Sequence, residues 1–195
     1  MEKSLKQYTE DAIWVAKTLF DRNKATGSSA NLSFRYEDKI YITGSGTCFG
    51  RLKADDFAVM DIEGRLLSEN KPSKEGPLHL MMYKKDDAIG AVVHTHSIYS
   101  VLWSFQEFEN EYDIIPAHTP YLKMKLGSVG LIPYETPGSK ELFDAFKDRA
   151  AKSDGFLLKQ HGPVVPGKDV LDAFYCLEEL EESAQIALKL RADMK

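Results

Sequence analysis

The sequence predicts an α/β fold, with helices and short strands layered around one sheet. Two observations predict it. Apolar residues recur at helical spacing near both ends of the chain: Leu5, Tyr8, Ala12, Val15, Ala16 and Leu19, then Val170, Phe174, Leu177, Leu180, Ala184 and Leu188. Between them lie short β-branched and aromatic runs, each closed by Gly, Pro or Ser. The 195 residues are most simply one domain, 1–195, large enough to bury a core. Hydrophobic content of 43% and charged content of 28% are those of a soluble globular protein. A net charge of -5 gives no basic surplus and argues against a nucleic-acid partner. No apolar run approaches the ~18 residues of a membrane span, and Met1-Glu2-Lys3 leads straight into an amphipathic pattern without a signal peptide. The expected location is therefore cytoplasmic. Cys48 and Cys176 lack metal-ligand spacing, and Cys176 falls on an apolar helical face as a small core residue.

In chain order, residues 4–24 read as an amphipathic helix. Residues 26–35 are a turn of small and hydroxyl residues leading into a strand. Lys39 to Thr43 is a short strand that runs into Gly44-Ser45-Gly46-Thr47. Phe57 to Asp61 is a further strand. Glu75 to Tyr83 is a helix that Ser73 could cap. Gly90 to His94 is a buried strand, and Ile98 to Trp103 a short buried helix. Glu107 to Asp113 is an acidic solvated loop. Ile114 to Tyr121 reads as a strand entering a Pro-bounded loop, and Val129 to Tyr134 as another strand. Ser139 caps a helix to about Ala151. Residues 156–165 are two strands broken at His161-Gly162-Pro163. Gly167-Lys168-Asp169 opens a long last helix, with Glu178, Glu179, Glu181 and Glu182 on its solvated face.

The residues that carry chemistry centre on His94-Thr95-His96. In extended backbone, residues i and i+2 share a face, so both imidazoles leave one side of a strand end, about 6–7 Å apart along the backbone. Burying both without partners is costly, and a shared divalent cation relieves that cost. His161, at the break between two strands, supplies a third imidazole. Three histidines at strand ends match a catalytic zinc that keeps a position open. Glu75 reads either as an ordinary first-turn carboxylate or as a general base or exchangeable fourth ligand. His79, one turn further on, reads as a structural donor rather than a ligand. The loops at 26–33 and 44–47 fit plain turn chemistry, or backbone N–H groups and hydroxyls that bind an anion.

Together and in this order, Gly27 to Ser33, Ile42 to Gly46, Pro72-Ser73-Lys74-Glu75, His94-Thr95-His96 and His161-Gly162-Pro163 resemble the class II aldolase/adducin family along nearly the whole chain. The resemblance implies a three-layer α/β/α sandwich around a mainly antiparallel sheet, and usually a homotetramer. It implies one Zn2+ per subunit on His94, His96 and His161, with Glu75 as catalytic residue and resting ligand. Residues 72–75, Thr119-Pro120-Tyr121 with Lys123-Met124 and Gly127, and residues 161–169 are most similar to the 3-oxo-tetronate 4-phosphate decarboxylases. That branch acts on a phosphorylated keto acid. The fuculose-phosphate aldolase branch carries a serine where this chain has Lys74. In that branch the substrate phosphate sits against residues matching Ala30, Asn31, Ser45, Gly46 and Ser73. Ala30 and Gly44 depart from its commoner glycine and proline. A tyrosine from a neighbouring subunit acts as acid there, and Tyr121 is its nearest match. Lys74 would pair with the substrate's carboxylate or its phosphate. The alternatives within the family are a sugar-phosphate aldolase, an epimerase or dehydratase, and a non-catalytic adducin-like scaffold.

Overall fold

The computed structural model describes residues 3–193; the expected leaderless start at Met1-Glu2 lies outside them. Seven strands form one sheet: β1 (Asn31–Tyr36), β2 (Lys39–Thr43), β3 (Phe57–Met60), β4 (Ala91–His94), β5 (Val129–Ile132), β6 (Gly155–Leu158) and β7 (Gly162–Gly167). Their order is β3-β2-β1-β4-β7-β6-β5, and every neighbouring pair is antiparallel except β5 with β6. One face is covered by α1 (Leu5–Asp21), α3 (Ile98–Ser104), α4 (Tyr121–Lys125) and α6 (Val170–Asp193). The other is covered by α2 (Gly76–Lys85) and α5 (Lys140–Arg149). This is the expected sandwich around a mainly antiparallel sheet.

Alternation along the strands sorts side chains between the two faces. On β1, Leu32 and Phe34 join the large core under α1 and α6. Asn31 and Ser33 point the other way, toward α2. On β4, Val93 joins the large core and Val92 the smaller one, so His94, two residues on, lies on the α2 side. Pairing of β1 with β4 sets Asn31 opposite His94, and pairing of β4 with β7 sets His94 opposite Val164. The middle strands therefore deliver Asn31 and His94 side by side at one end of the sheet.

The structure departs from the expected elements at three places. Residues 114–120 form no strand, and Tyr121 opens α4 instead. Pro116 has no N–H for a ladder, and the segment is tied down singly, with Ile114 N donating to Val129 O and Trp103 Nε1 donating to Ile114 O. Ser73 does not cap α2; Glu75 holds the N-cap position, and Ser73 Oγ accepts instead from Glu75 N at 3.3 Å. Glu181 is not on a solvated face. It is buried, and its carboxylate accepts from Tyr99 N, Ser100 N and Ser100 Oγ at the start of α3. A carboxylate there satisfies the otherwise unpaired N–H groups of the helix that follows His96. Ser139 caps α5 as expected, accepting from Leu142 N.

Candidate active site

His94 ends β4, His96 follows two residues later, and His161 sits in the turn joining β6 to β7. Two backbone features bring these segments together. Gln160 turns the hairpin with φ 60. At Gly162 an added Cβ would lie 2.0 Å from the Thr95 carbonyl oxygen. Only glycine allows that approach, which seats the His161 turn directly on the His94–His96 segment. The imidazole centroids are then 5.1 Å apart for His94 and His96, 4.8 Å for His94 and His161, and 4.7 Å for His96 and His161. One ligand atom from each lies within 4.8 Å of the others, a grouping suited to one metal ion.

The electrostatics fit a cation. Burial pushes His94 down to about 3, with His96 adding to the effect, and burial with His94 does the same to His161. His96 is lowered too, chiefly by burial. Burial thus favours the neutral imidazole, the form that binds metal. His94 Nδ1–H donates to Pro163 O at 2.8 Å, which leaves the lone pair on Nε2. That Nε2 faces Glu75 Oε2 at 3.3 Å, and His161 Nε2 faces Glu75 Oε1 at 3.2 Å. Glu75 Oε1, His94 Nε2, His96 Nε2 and His161 Nδ1 are all buried without a hydrogen-bond partner. The His94 lone pair turned on a buried carboxylate repels it, and a divalent ion between them would reverse the sign. The residues present thus fit the zinc that the sequence implies.

Above the histidines opens a cavity of about 220 Å³. Ala30, Asn31, Ser45, Gly46, Ser73, Lys74, Glu75, His96 and His161 all line it, so nearly every expected site residue converges there. His94 lies buried beneath. The loops are held together by an isolated bridge between Gly44 and Pro72, by Ser45 N donating to Lys71 O and by Ser73 N donating to Thr43 O. Lys74 is the sole Lys or Arg among the described residues of the wall. Its stem lies against Gly138, where an added Cβ would come within 3.0 Å of Cδ. Tyr121 is 58% exposed and is not among the wall residues of its own chain.

Sequence reasoning missed Pro137 in the wall, and also singled out neither Ser28 nor Ser29 there. The serines lay inside a flagged loop. No spacing signal ties the 136–138 turn to the site. His79 is outside the imidazole cluster, as expected, and bonds Asn31 and Ser33.

The model of the class II aldolase and adducin N-terminal domain matches residues 10–188. The chain belongs to this family. It is 38% identical over 180 residues to a protein of Haemophilus influenzae named 3-oxo-tetronate 4-phosphate decarboxylase, covering 92% of this chain and 86% of that protein. It is 39% identical over 176 residues to an L-fuculose phosphate aldolase of Methanocaldococcus jannaschii, covering 90% of this chain and 93% of the relative. Among solved structures, YgbL of Klebsiella pneumoniae, described as one of an aldolase, epimerase or decarboxylase, superposes with a TM-score of 0.92. It is 35% identical and the match covers 97% of this chain and 92% of that one.

Proposed function

We propose that residues 1–195 act as one catalytic domain, a zinc-dependent carbon–carbon lyase that decarboxylates a 3-oxo-tetronate 4-phosphate to dihydroxyacetone phosphate and CO2. Identity alone does not choose between the decarboxylase and aldolase relatives, since 38% and 39% are equivalent. The observation that carries the choice is Lys74, a basic side chain on the wall of a cavity that no other Lys or Arg among the described residues lines. The proposed substrate has an anion at each end. Loops 28–31 and 44–46, with Ser73, offer N–H and O–H donors for the phosphate. Lys74, near enough for its charge to act on His96 and His161, would pair with the carboxylate, where an aldolase substrate has only a hydroxyl.

His94, His96 and His161, with Glu75 as resting ligand, would hold one Zn2+ per chain, whose Lewis acidity offsets the negative charge that develops on the ketone oxygen. The rest falls to side chains. The phosphate loops fix the substrate's orientation with binding energy remote from the reacting bond. The C1–C2 bond breaks, CO2 leaves, and the electron pair stays on C2 as an enediolate. Glu75, buried at the base of the cavity, takes up a proton from solvent and relays it to C2, and the product is the ketose phosphate. Tyr121 is exposed at the start of α4. Any acid role for it would be played in a neighbouring subunit, within the homotetramer we propose. The exposed Ile98 and Leu102 on α3, with Phe105 just after it, support such an assembly. No helix among the described residues is long and apolar enough to cross a membrane, which fits the proposed cytoplasmic location.

Zinc-loaded protein given freshly generated 3-oxo-tetronate 4-phosphate tests the proposal. Stoichiometric CO2 and dihydroxyacetone phosphate are expected, with Glu75→Gln reducing turnover by roughly 10²–10⁴-fold. No release above the spontaneous rate from protein shown to contain zinc would overturn it. Retro-aldol cleavage of a ketose 1-phosphate would then be the reading to pursue.

A further inference from the structure

Glu75, His79 and Tyr83 are spaced one helical turn apart along the start and first face of α2, and Asn31 and Ser33 alternate on the facing side of β1. The two periods interlock. Tyr83 Oη lies 2.7 Å from Ser33 Oγ, Ser33 Oγ 2.8 Å from His79 Nδ1, His79 Nε2 2.6 Å from Asn31 Oδ1, and Asn31 Nδ2 2.9 Å from Glu75 Oε2. All five side chains are buried.

The direction of every bond in the chain follows from its end. A carboxylate only accepts, so the Asn31 amide must turn Nδ2 to Glu75 and Oδ1 to His79. His79 Nε2 therefore carries the proton and donates, and its Nδ1 accepts from the Ser33 hydroxyl. Ser33 Oγ, having spent its hydrogen, accepts from Tyr83. Reversal at any point would set two acceptors or two donors against each other among buried groups. Among the described residues, Asn31 is the one side chain that donates a hydrogen bond to the Glu75 carboxylate.

We infer that His79 is a positioning residue: through Asn31 it fixes the rotamer of Glu75, and Ser33 and Tyr83 hold the His79 ring in place. This explains why an imidazole with no access to substrate is buried beside the metal centre. It also gives Asn31 a task besides facing the phosphate. The inference rests on Glu75 being the proton-handling residue of the proposed reaction, not on which phosphorylated substrate is used.

Three readouts test it on the full chain. In nitrogen-15 NMR of the zinc-loaded protein, His79 should appear as the neutral Nε2–H tautomer. His79→Phe fills the volume but cannot donate to Asn31. It should lower kcat roughly 10–100-fold with KM within about threefold, and weaken zinc about tenfold in competition with a chromophoric chelator. His79→Gln keeps a donor for Asn31 and an acceptor for Ser33, and should restore both to within about threefold at similar thermal stability. An Nδ1–H tautomer, or native kcat and zinc affinity in folded His79→Phe, would overturn the inference. So would Gln and Phe variants that lose activity equally. Should His79→Phe fail to fold, Ser33→Ala, which leaves the His79 ring unanchored, takes its place with the same kinetic expectation. If native protein does not turn over the substrate, the proposed reaction fails, while the tautomer and the zinc competition still decide the role of His79.

Discussion

Strand β1 has two unlike faces. Leu32 and Phe34 face the large core, where Phe34 stacks with Tyr41 at 5.1 Å between centroids and with Tyr8 at 5.8 Å, and meets Phe57 edge-on. Asn31 and Ser33 face α2 and join a buried polar chain that ends on Glu75. The apolar face is non-directional and dominates stability. The polar face contributes little net stability, because each bond replaces one to water, but it fixes orientation. The lesson is a division of labour within six residues: one side of the strand holds the fold, the other holds the site.

The largest expected effect breaks that division on its apolar side. Phe34→Ala should cost about 3–5 kcal/mol in denaturant unfolding, while turnover per folded molecule stays near native. A loss of turnover without loss of stability would show that the two faces are not separable.

The next prediction concerns acid. His79 is held down to about 3 by burial, with His94 adding to it, against an ordinary value of 6.5. Above about pH 6.5 neither state takes up the proton. Below it the unfolded chain does and the folded chain does not, so stability falls with falling pH, by up to about 1.4 kcal/mol per pH unit for this group. Metal-free protein titrated from pH 7 to 5 should show that fall, and His79→Gln should make it shallower by about one proton's worth. An unchanged slope would mean that His79 charges within the fold.

A smaller effect is expected at the rim. Lys74→Ser should raise KM for the keto-acid phosphate about tenfold, the worth of one charge-assisted hydrogen bond at an exposed site, and should spare thermal stability. Steady-state kinetics beside a melting curve would check both halves. The smallest effect is a null one. Burial pushes the Cys176 thiol up to about 12, so native protein should react with a thiol reagent at Cys48 alone and unfolded protein at both cysteines.

Much of this was legible in the sequence. Short apolar runs and the Gly-Pro break after His161 located β4, β7 and the three histidines. The resemblance supplied the loop residues that line the cavity. What was not legible depended on contacts between distant segments. Glu181 sits in a run of glutamates that reads as a solvated face, and only the approach of α3 turns it inward. Ile114-Ile115 has strand composition, but Pro116 and the pull of Trp103 leave it irregular. The chain through His79 was half visible, as His79 one turn beyond Glu75. Its meaning required knowing that β1 would lie alongside.

The central claim is that the buried His94 and His161, the half-buried His96 and the buried Glu75 form a metal centre. It is tested most directly by metal analysis of protein loaded with zinc and dialysed, beside His96→Ala and His161→Ala. The account predicts one zinc per native chain and substoichiometric zinc in folded forms of both variants. Native protein that retains no zinc, or variants that retain a full equivalent, would contradict it.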